Sequence, residues 1–303
     1  LFNIHTLRWD EELCALYGIP VQALPQVYMS DGVFGTTDLG GFLKRAVPVC
    51  GVLGDSHGAL LGQGCFVPGT VKATYGTGSS VMMQTGEACI ESTGGLVTSL
   101  AWGLSGRVNY VLEGNLNYTG AVITWLKKDV GLLRTDAESE QLARQAHPGD
   151  RTYFVPAFTG LGAPYWDSEA TGLLTGITRT TGKAEIVRAC LDSIAYQITD
   201  LLEGMGRDAA LPLAELRVDG GPTANRYLMQ RQSDLACLPL AVPAMQELSA
   251  LGAARAAAQG AGLCACKDFG HPAYARYQPR MEAAKRQALY EGWQDAVRRT
   301  LYH

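Results

Sequence analysis

Apolar residues occur along the chain both in short runs and in longer stretches with helical spacing, and this order predicts an α/β fold. Between residues 183 and 205 apolar side chains recur every three or four positions, which predicts a long amphipathic helix. Apolar runs at 71–75 and 80–85 flank a Gly-Thr-Gly turn and predict a hairpin. Further strands are predicted at 48–54, 96–102, 108–112, 153–158, 173–177, 216–219 and 238–242, and further helices at 7–17, 115–133, 137–145, 225–235, 250–262 and 281–301.

Composition narrows the class of protein. The 303 residues are 47% hydrophobic and 18% charged, with a net charge of −4. The hydrophobic fraction is ample for a buried core of one large or two smaller domains. The balance of hydrophobic and charged residues argues against disorder. The sequence contains no long basic run, so we expect no nucleic-acid partner, and no apolar stretch of about 18 residues, so we expect no membrane span. The eight cysteines are scattered, which favours reduced thiols and a cytoplasmic protein.

Two Gly-rich turns that carry hydroxyl groups are the most specific local pattern. The first, at 75–80, follows a predicted strand and offers backbone N–H groups and hydroxyls to a phosphate. The second, at 218–225, combines consecutive glycines with a helix start. Each taken alone is equally consistent with an ordinary tight turn. Together they predict a nucleotide held between successive turns of one α/β domain.

Asp55 is the candidate catalytic acid–base group. It follows a predicted buried strand and precedes a helix of small residues, which places it at the carboxyl edge of a sheet where ligands bind. A carboxylate there can accept a hydroxyl proton during phosphoryl transfer. The alternative is a structural N-cap of the following helix. A long loop with exposed aromatic residues, 159–167, is either a packed surface loop or part of the site.

These segments together resemble the FGGY family of carbohydrate kinases. Within that family, they are most similar to the glycerol kinases. The resemblance implies an actin-like, ribonuclease H-like ATPase fold, with ATP and Mg²⁺ as cofactors and a small-molecule polyol or sugar as substrate. The stretches that carry it are Tyr153–Asp167, Thr74–Gly78, Leu112–Gly114 and Gly172–Tyr196.

The same resemblance implies roles for individual residues. Asp55 matches the catalytic base and would contact Mg²⁺ only through water. Thr77 and Gly78 match the turn that faces the ATP phosphates. Three further positions match nucleotide contacts: Gly120, Gly221 and Asn225.

Three positions depart from the family pattern. Ser56 stands where the family has a substrate-contacting Gln, and Ser80 stands where it has a Phe beside the substrate. Thr124 replaces a Gln on the nucleotide side. The two serines predict a larger and more polar substrate pocket, so a ketose such as xylulose is an alternative to glycerol.

The resemblance also predicts the domain organisation. Residues 1–50 correspond to the end of the FGGY N-terminal domain, and residues 51–303 correspond to the nucleotide-binding C-terminal domain with its terminal helix. The bulk of the N-terminal domain, with its Asp-Gly-Thr phosphate motif, is missing from the sequence, so we expect this chain alone to have little kinase activity. The alternative is a non-catalytic nucleotide-binding or interaction module. A homodimer is a further possible assembly.

Overall fold

The computed structural model describes residues 1–270 and 272–301, and in them shows a seven-stranded mixed sheet between two layers of helices and three separate two-stranded sheets. The strands are β1 Phe2–Asn3, β2 Arg8–Trp9, β3 Gly35–Thr37, β4 Val47–Val49, β5 Thr70–Tyr75, β6 Ser79–Gly86, β7 Val97–Leu104, β8 Arg107–Leu116, β9 Tyr153–Val155, β10 Leu173–Thr175, β11 Glu215–Asp219, β12 Leu240–Pro243 and β13 Tyr274–Tyr277. The helices are α1 Glu11–Leu16, α2 Asp55–Gly62, α3 Gly120–Lys128, α4 Glu138–Gln145, α5 Lys183–Ala209, α6 Arg226–Ala236, α7 Leu248–Gly260 and α8 Ala283–Leu301, with short 3₁₀ turns at Val21–Ala23, Gly221–Ala224 and Cys266–Asp268.

The seven-stranded sheet has the order β13-β12-β11-β5-β6-β8-β7. Strand β11 pairs in parallel with β5 and with β12, and the other pairs are antiparallel. The hairpin predicted around the Gly-Thr-Gly turn is present as β5 and β6. The carboxyl ends of the parallel strands β5 and β11 therefore meet at one edge of the sheet, where α/β proteins bind ligands.

The alternation of residues along β5 separates the two helical layers. Val71, Ala73 and Tyr75 are buried in the larger core, which the sheet shares with the long helix α5. The other face carries Lys72, and its cross-strand partner Met82 belongs to a smaller core beneath α2 and α7. One strand thus supplies apolar side chains to one layer and a polar row to the other.

Glycines allow α2 to lie directly against α7. A Cβ on Gly62 would stand 2.0 Å from the carbonyl oxygen of Leu248, and a Cβ on Gly252 would stand 1.9 Å from that of Gly58. Neither contact leaves room for any side chain. This close approach fixes the position of α2, and with it the residue at its first turn, Asp55.

A buried carboxylate joins α5, α8 and the loop that follows β9. Asp200 accepts hydrogen bonds from the Tyr165 and Tyr290 hydroxyls at 2.9 and 2.8 Å and from Trp293 Nε1 at 2.8 Å. Burial raises the pKa of Asp200 to about 6, although the three hydrogen bonds oppose that shift. The aromatic loop is therefore held on the protein by Tyr165, while Trp166 stays 62% exposed and donates to the Gly95 carbonyl.

The segment before α2 differs from its prediction. The buried strand predicted at 48–54 is wrong: only Val47–Val49 is a strand, its three residues are exposed, and it pairs with β3 outside the main sheet. The helix predicted at 7–17 covers only Glu11–Leu16, because β1 and β2 form a small hairpin before it. Large apolar side chains are exposed throughout residues 1–52, up to 83% at Phe42.

Two further differences have local causes. The predicted helix from residue 115 begins at Gly120, because β8 continues to Leu116 as a partner of β6. The edge strand β13 was not predicted, because its neighbours in sequence read as a Pro-containing linker.

All eight cysteines are free thiols. Over residues 1–270 and 272–301, the helices are too short or too polar for any of them to cross a lipid bilayer.

Candidate functional site

A cavity of about 720 Å³ opens at the edge where β5 and β11 end. We call it the large cavity. Its floor is formed by Lys72, Thr74 and Asp219 from the two strands. Asp55 and Ser56, in the first turn of α2, also line this cavity. The remaining wall comes from the 3₁₀ turn after β11, the segment after β12 and the start of α7.

Asp55 is the first residue of α2 and not its N-cap. Gly54 holds the N-cap position, and the Asp55 carboxylate accepts the Ser56 N–H at 2.6 Å. A negative group is favoured here by the free N–H groups and the dipole of the helix. The Asp55 carbonyl oxygen accepts the Ser249 hydroxyl at 2.8 Å, which ties the turn to α7. The side chain of Asp55 is exposed at the cavity.

The turn after β11 brings backbone to the same cavity. Asp219 ends the strand, and its carboxylate accepts Gln63 Nε2 at 2.6 Å. Gly220 has a φ of 98°, and a Cβ there would stand 2.0 Å from the Tyr75 carbonyl oxygen, so only glycine fits. A Cβ on Gly221, in contrast, would have no protein atom within 4 Å. Gly221 therefore presents bare backbone to open space.

A second cavity of about 430 Å³, the adjoining cavity, is also lined by residues of that turn. It is lined by Gly221, Asn225, Ser139 and Ile123 among others, so Gly221 borders both cavities. Asn225 is the N-cap of α6: its Oδ1 accepts the Leu228 N–H at 3.0 Å, and its Nδ2 donates to Ser139 Oγ at 3.1 Å. Its amide thus fixes the rim of the adjoining cavity.

The other residues expected at the nucleotide lie around the β5–β6 turn. Gly120 donates its N–H to the Gly76 carbonyl at 2.9 Å, and a Cβ on Gly120 would stand 2.5 Å from that oxygen. Thr77 is exposed at the tip of the turn, with Gly78 beside it. Thr124 is exposed one helical turn after Gly120 and donates to its carbonyl oxygen at 3.2 Å. Through these contacts the start of α3 packs against the β5–β6 turn. The four residues line neither the large nor the adjoining cavity.

The two serines expected near a substrate lie in different places. Ser56 lines the large cavity beside Asp55. Ser80 pairs across the sheet with Thr74, which lines that cavity, but Ser80 itself is outside it. The structure therefore brings Asp55, Ser56 and Gly221 together in one cavity and leaves Ser80 one strand away.

A polar cluster lies behind Asp55. His57 Nε2 is 3.4 Å from the Glu113 carboxylate, which also accepts a hydrogen bond from Ser99. Burial opposes ionisation of Glu113, but these hydrogen bonds outweigh it and lower its pKa. His57 also lines a third, mainly apolar cavity of about 390 Å³ between α2 and residues 1–30.

Two family profiles match most of this chain. The profile for the FGGY family of carbohydrate kinases, C-terminal domain, matches residues 71–261, and the profile for its N-terminal domain matches residues 1–62. The chain belongs to the FGGY family of carbohydrate kinases. The domain boundary predicted at residue 50 stays a prediction.

Glycerol kinases are similar to this FGGY chain in sequence and in structure. The enzyme from Stenotrophomonas maltophilia (strain K279a) is 45% identical over 304 residues, which cover 99% of this chain and 61% of that protein. The enzyme from Carboxydothermus hydrogenoformans is 45% identical over 302 residues, 99% of this chain and 60% of that protein. The crystal structure of Plasmodium falciparum glycerol kinase with ADP superposes with a TM-score of 0.93 at 32% identity, covering 100% of this chain and 62% of that one.

Xylulose kinase from Lactobacillus acidophilus shares the fold, with a TM-score of 0.86 at 22% identity, over 99% of this chain and 62% of that one. The predicted actin-like ATPase fold is therefore confirmed. The FGGY chain spans about 61% of the length of the curated relatives that it matches.

The donor set of the FGGY chain fits magnesium bound together with phosphates. Within the described residues, no group of three or more His, Cys, Asp or Glu side chains is placed to hold a metal ion unaided. Mg²⁺ is usually held by one or two carboxylates, with waters and substrate phosphates completing its octahedron. Asp55 and Asp219 line the same cavity and meet that requirement.

Sequence reasoning missed the floor of the large cavity. Lys72 and Thr74 alternate with the apolar residues of β5, and that alternation was a readable signal of a polar face. Asp219 was assigned only to a glycine turn. Its role as a floor residue depends on the parallel pairing of β11 with β5, which a single sequence does not reveal.

Proposed function

We propose that this chain is the nucleotide-binding part of an ATP-dependent FGGY kinase that phosphorylates a hydroxyl group of a polyol or sugar. The observation that carries the proposal is the large cavity, which Asp55 and the glycine turn after β11 both line. A candidate proton acceptor and a candidate phosphate-binding turn thereby share one space. Phosphoryl transfer needs mainly this kind of positioning and charge stabilisation.

The two cavities divide the nucleotide between them in this proposal. The phosphates occupy the large cavity and the adenosine occupies the adjoining cavity. The nucleotide passes over Gly221, which lines both cavities. The open space at Gly221 and its position on both cavities support this arrangement. Thr77 and Gly78 would approach the phosphates from the β5–β6 turn, and Gly120 and Thr124 would hold that turn from below.

Asp55 is the proposed general base. Its carboxylate would accept the proton of the substrate hydroxyl as the oxygen attacks the terminal phosphorus, and the first turn of α2 holds it in place. Mg²⁺, when bound with the phosphates, would neutralise part of their charge. Asp219 would hold that ion directly, and Asp55 would reach it through water.

The acceptor is proposed as a polyol or sugar whose hydroxyl lies next to Ser56. Glycerol is favoured by the glycerol kinases at 45% identity, and a ketose such as xylulose is the alternative that Ser56 and Ser80 raise. The exposed apolar residues over 1–52 would be covered by an FGGY N-terminal domain that completes the cleft. A cytoplasmic location and a homodimer remain predictions.

Calorimetry and a kinase assay test the proposal. Calorimetry measures ATP binding to the 303-residue chain. A coupled ADP-release assay over a polyol and ketose panel uses that chain and a fusion in which the preceding residues of the Stenotrophomonas maltophilia enzyme are joined to it. We expect ATP binding by both proteins and turnover only by the fusion. ATP binding without turnover by either protein favours a non-catalytic module. Robust turnover by the 303-residue chain alone refutes the need for the fused N-terminal residues.

A further inference from the structure

Lys72 is a buried cation that the proposed mechanism has not used. It lies in the middle of β5, and its side chain is 0% exposed. Its Nζ has no hydrogen-bond partner among the described residues, although an ammonium carries three donors. Burying an unpaired charge costs several kcal/mol in general, so such a group needs an explanation.

The neighbour of Lys72 on the sheet, Arg217, is a cation whose donors do have hydrogen-bond partners. Arg217 pairs with Lys72 across the parallel strands and faces the same helical layer. Arg217 donates to Glu215 at 2.8 Å and to the Gln63 carbonyl. Lys72 has no such partner among the residues that the structure describes.

The large cavity is where that partner would lie. Lys72 lines it together with Asp55 and Asp219, the two groups proposed to handle the proton and the metal ion. Burial lowers the pKa of the Lys72 ammonium, and the negative charges of Asp219 and Asp55, with Glu113 further along the face, oppose that shift. These carboxylates repel an anion that enters the cavity, and Lys72 is the one cationic residue among the described residues that line it.

We propose that Lys72 is a phosphate-binding residue, whose ammonium donates to an oxygen of the terminal phosphate of the nucleotide in the large cavity. This inference rests on the proposed kinase function. The bound phosphate satisfies the buried donors, and the ammonium draws negative charge from the group that is transferred. The side chain acts by direct contact with the substrate.

The test compares Lys72→Met, which keeps the length of the side chain and removes the charge, with Met82→Leu. Met82 is the cross-strand partner of Lys72 and is 2% exposed, so this control disturbs the same face without changing charge. Calorimetry on the 303-residue chain measures binding of ATP, ADP, adenosine and tripolyphosphate. We expect Lys72→Met to weaken ATP and tripolyphosphate binding about 10- to 100-fold, as for the loss of one charge-assisted hydrogen bond, and to leave adenosine binding unchanged.

The outcomes separate this inference from the proposed function. If wild-type protein binds ATP and Lys72→Met binds it equally well, or loses ATP and adenosine equally, the Lys72 assignment is wrong and the kinase proposal stands. If wild-type protein binds tripolyphosphate in a Lys72-dependent way but does not bind ATP, the assignment stands and ATP as the ligand is wrong. Wild-type protein that binds neither ATP nor tripolyphosphate overturns both.

Thermal unfolding supplies a second readout. Removing an unpaired buried charge relieves its desolvation cost, so the Tm of Lys72→Met is expected to equal or exceed that of the wild type. A purely structural lysine would give a lower Tm in this variant. Lys72→Arg keeps the charge and is expected to recover most of the ATP affinity, and a variant that folds with no recovery counts against a charge-based role.

Discussion

Replacement of Gly221 by alanine tests the path proposed for the nucleotide. A methyl group at this position meets no protein atom within 4 Å, and the backbone there needs no positive φ. The substitution should therefore change the free energy of unfolding by less than about 1 kcal/mol. If ATP passes over Gly221, the same methyl group occupies its space. Forcing an extra carbon into a packed contact costs about 1–3 kcal/mol, which weakens ATP binding about 5- to 150-fold.

Calorimetric titration with ATP, paired with urea unfolding, is the assay. Gly206→Ala is the matched control: it adds the same methyl group in α5, where the nearest atom is 3.8 Å away, and it should leave ATP binding unchanged. A Gly221→Ala protein of normal stability that binds ATP as tightly as the wild type would refute the proposed path. Reduced binding together with a large loss of stability would show instead that the turn is purely structural.

Two further predictions concern the framework that positions Asp55 and the aromatic loop. Gly252→Ala would place a Cβ 1.9 Å from the Gly58 carbonyl oxygen, so we expect α2 to move away from α7. The free energy of unfolding should fall by about 1–3 kcal/mol, measured by thermal unfolding. An unchanged Tm would contradict the close helix contact. Burial raises the pKa of Asp200 from its ordinary 3.8 to about 6, so the folded state holds this proton more tightly than the unfolded state. Unfolding free energy should then fall by about 2 kcal/mol between pH 4 and 7, and this fall should be absent in Asp200→Asn; identical pH profiles of the two proteins in urea unfolding would contradict it.

Local patterns in the sequence predicted the parts of the fold that depend on neighbours along the chain. The β5–β6 hairpin follows from alternation on both sides of a Gly-Thr-Gly turn, and α5 follows from its apolar spacing. Asp55 was expected at the correct edge of the sheet, but for a wrong reason. The strand predicted before it pairs outside the main sheet, and it is α2, packed on α7 through glycines, that carries Asp55 to the cavity.

The remainder of the candidate site depends on contacts between distant segments. Lys72 and Asp219 meet only because β5 and β11 pair in parallel, across more than a hundred residues of intervening chain. Asn225 lines the adjoining cavity, and its amide is shared between the cap of α6 and Ser139 on α4, while its contact with the nucleotide stays a prediction. The sequence shows that these residues are polar but not which other groups they meet.

Asp55→Asn is the most direct test of the central claim that Asp55 serves as the base for phosphoryl transfer. The variant keeps the size of the side chain and the start of α2, and it removes the proton acceptor. In the fusion with the preceding glycerol kinase residues, we expect kcat to fall about 100-fold or more while the Kd for ATP stays close to that of the wild type. Undiminished kcat in Asp55→Asn, in a fusion that binds ATP normally, would remove Asp55 from the reaction and contradict the proposed mechanism.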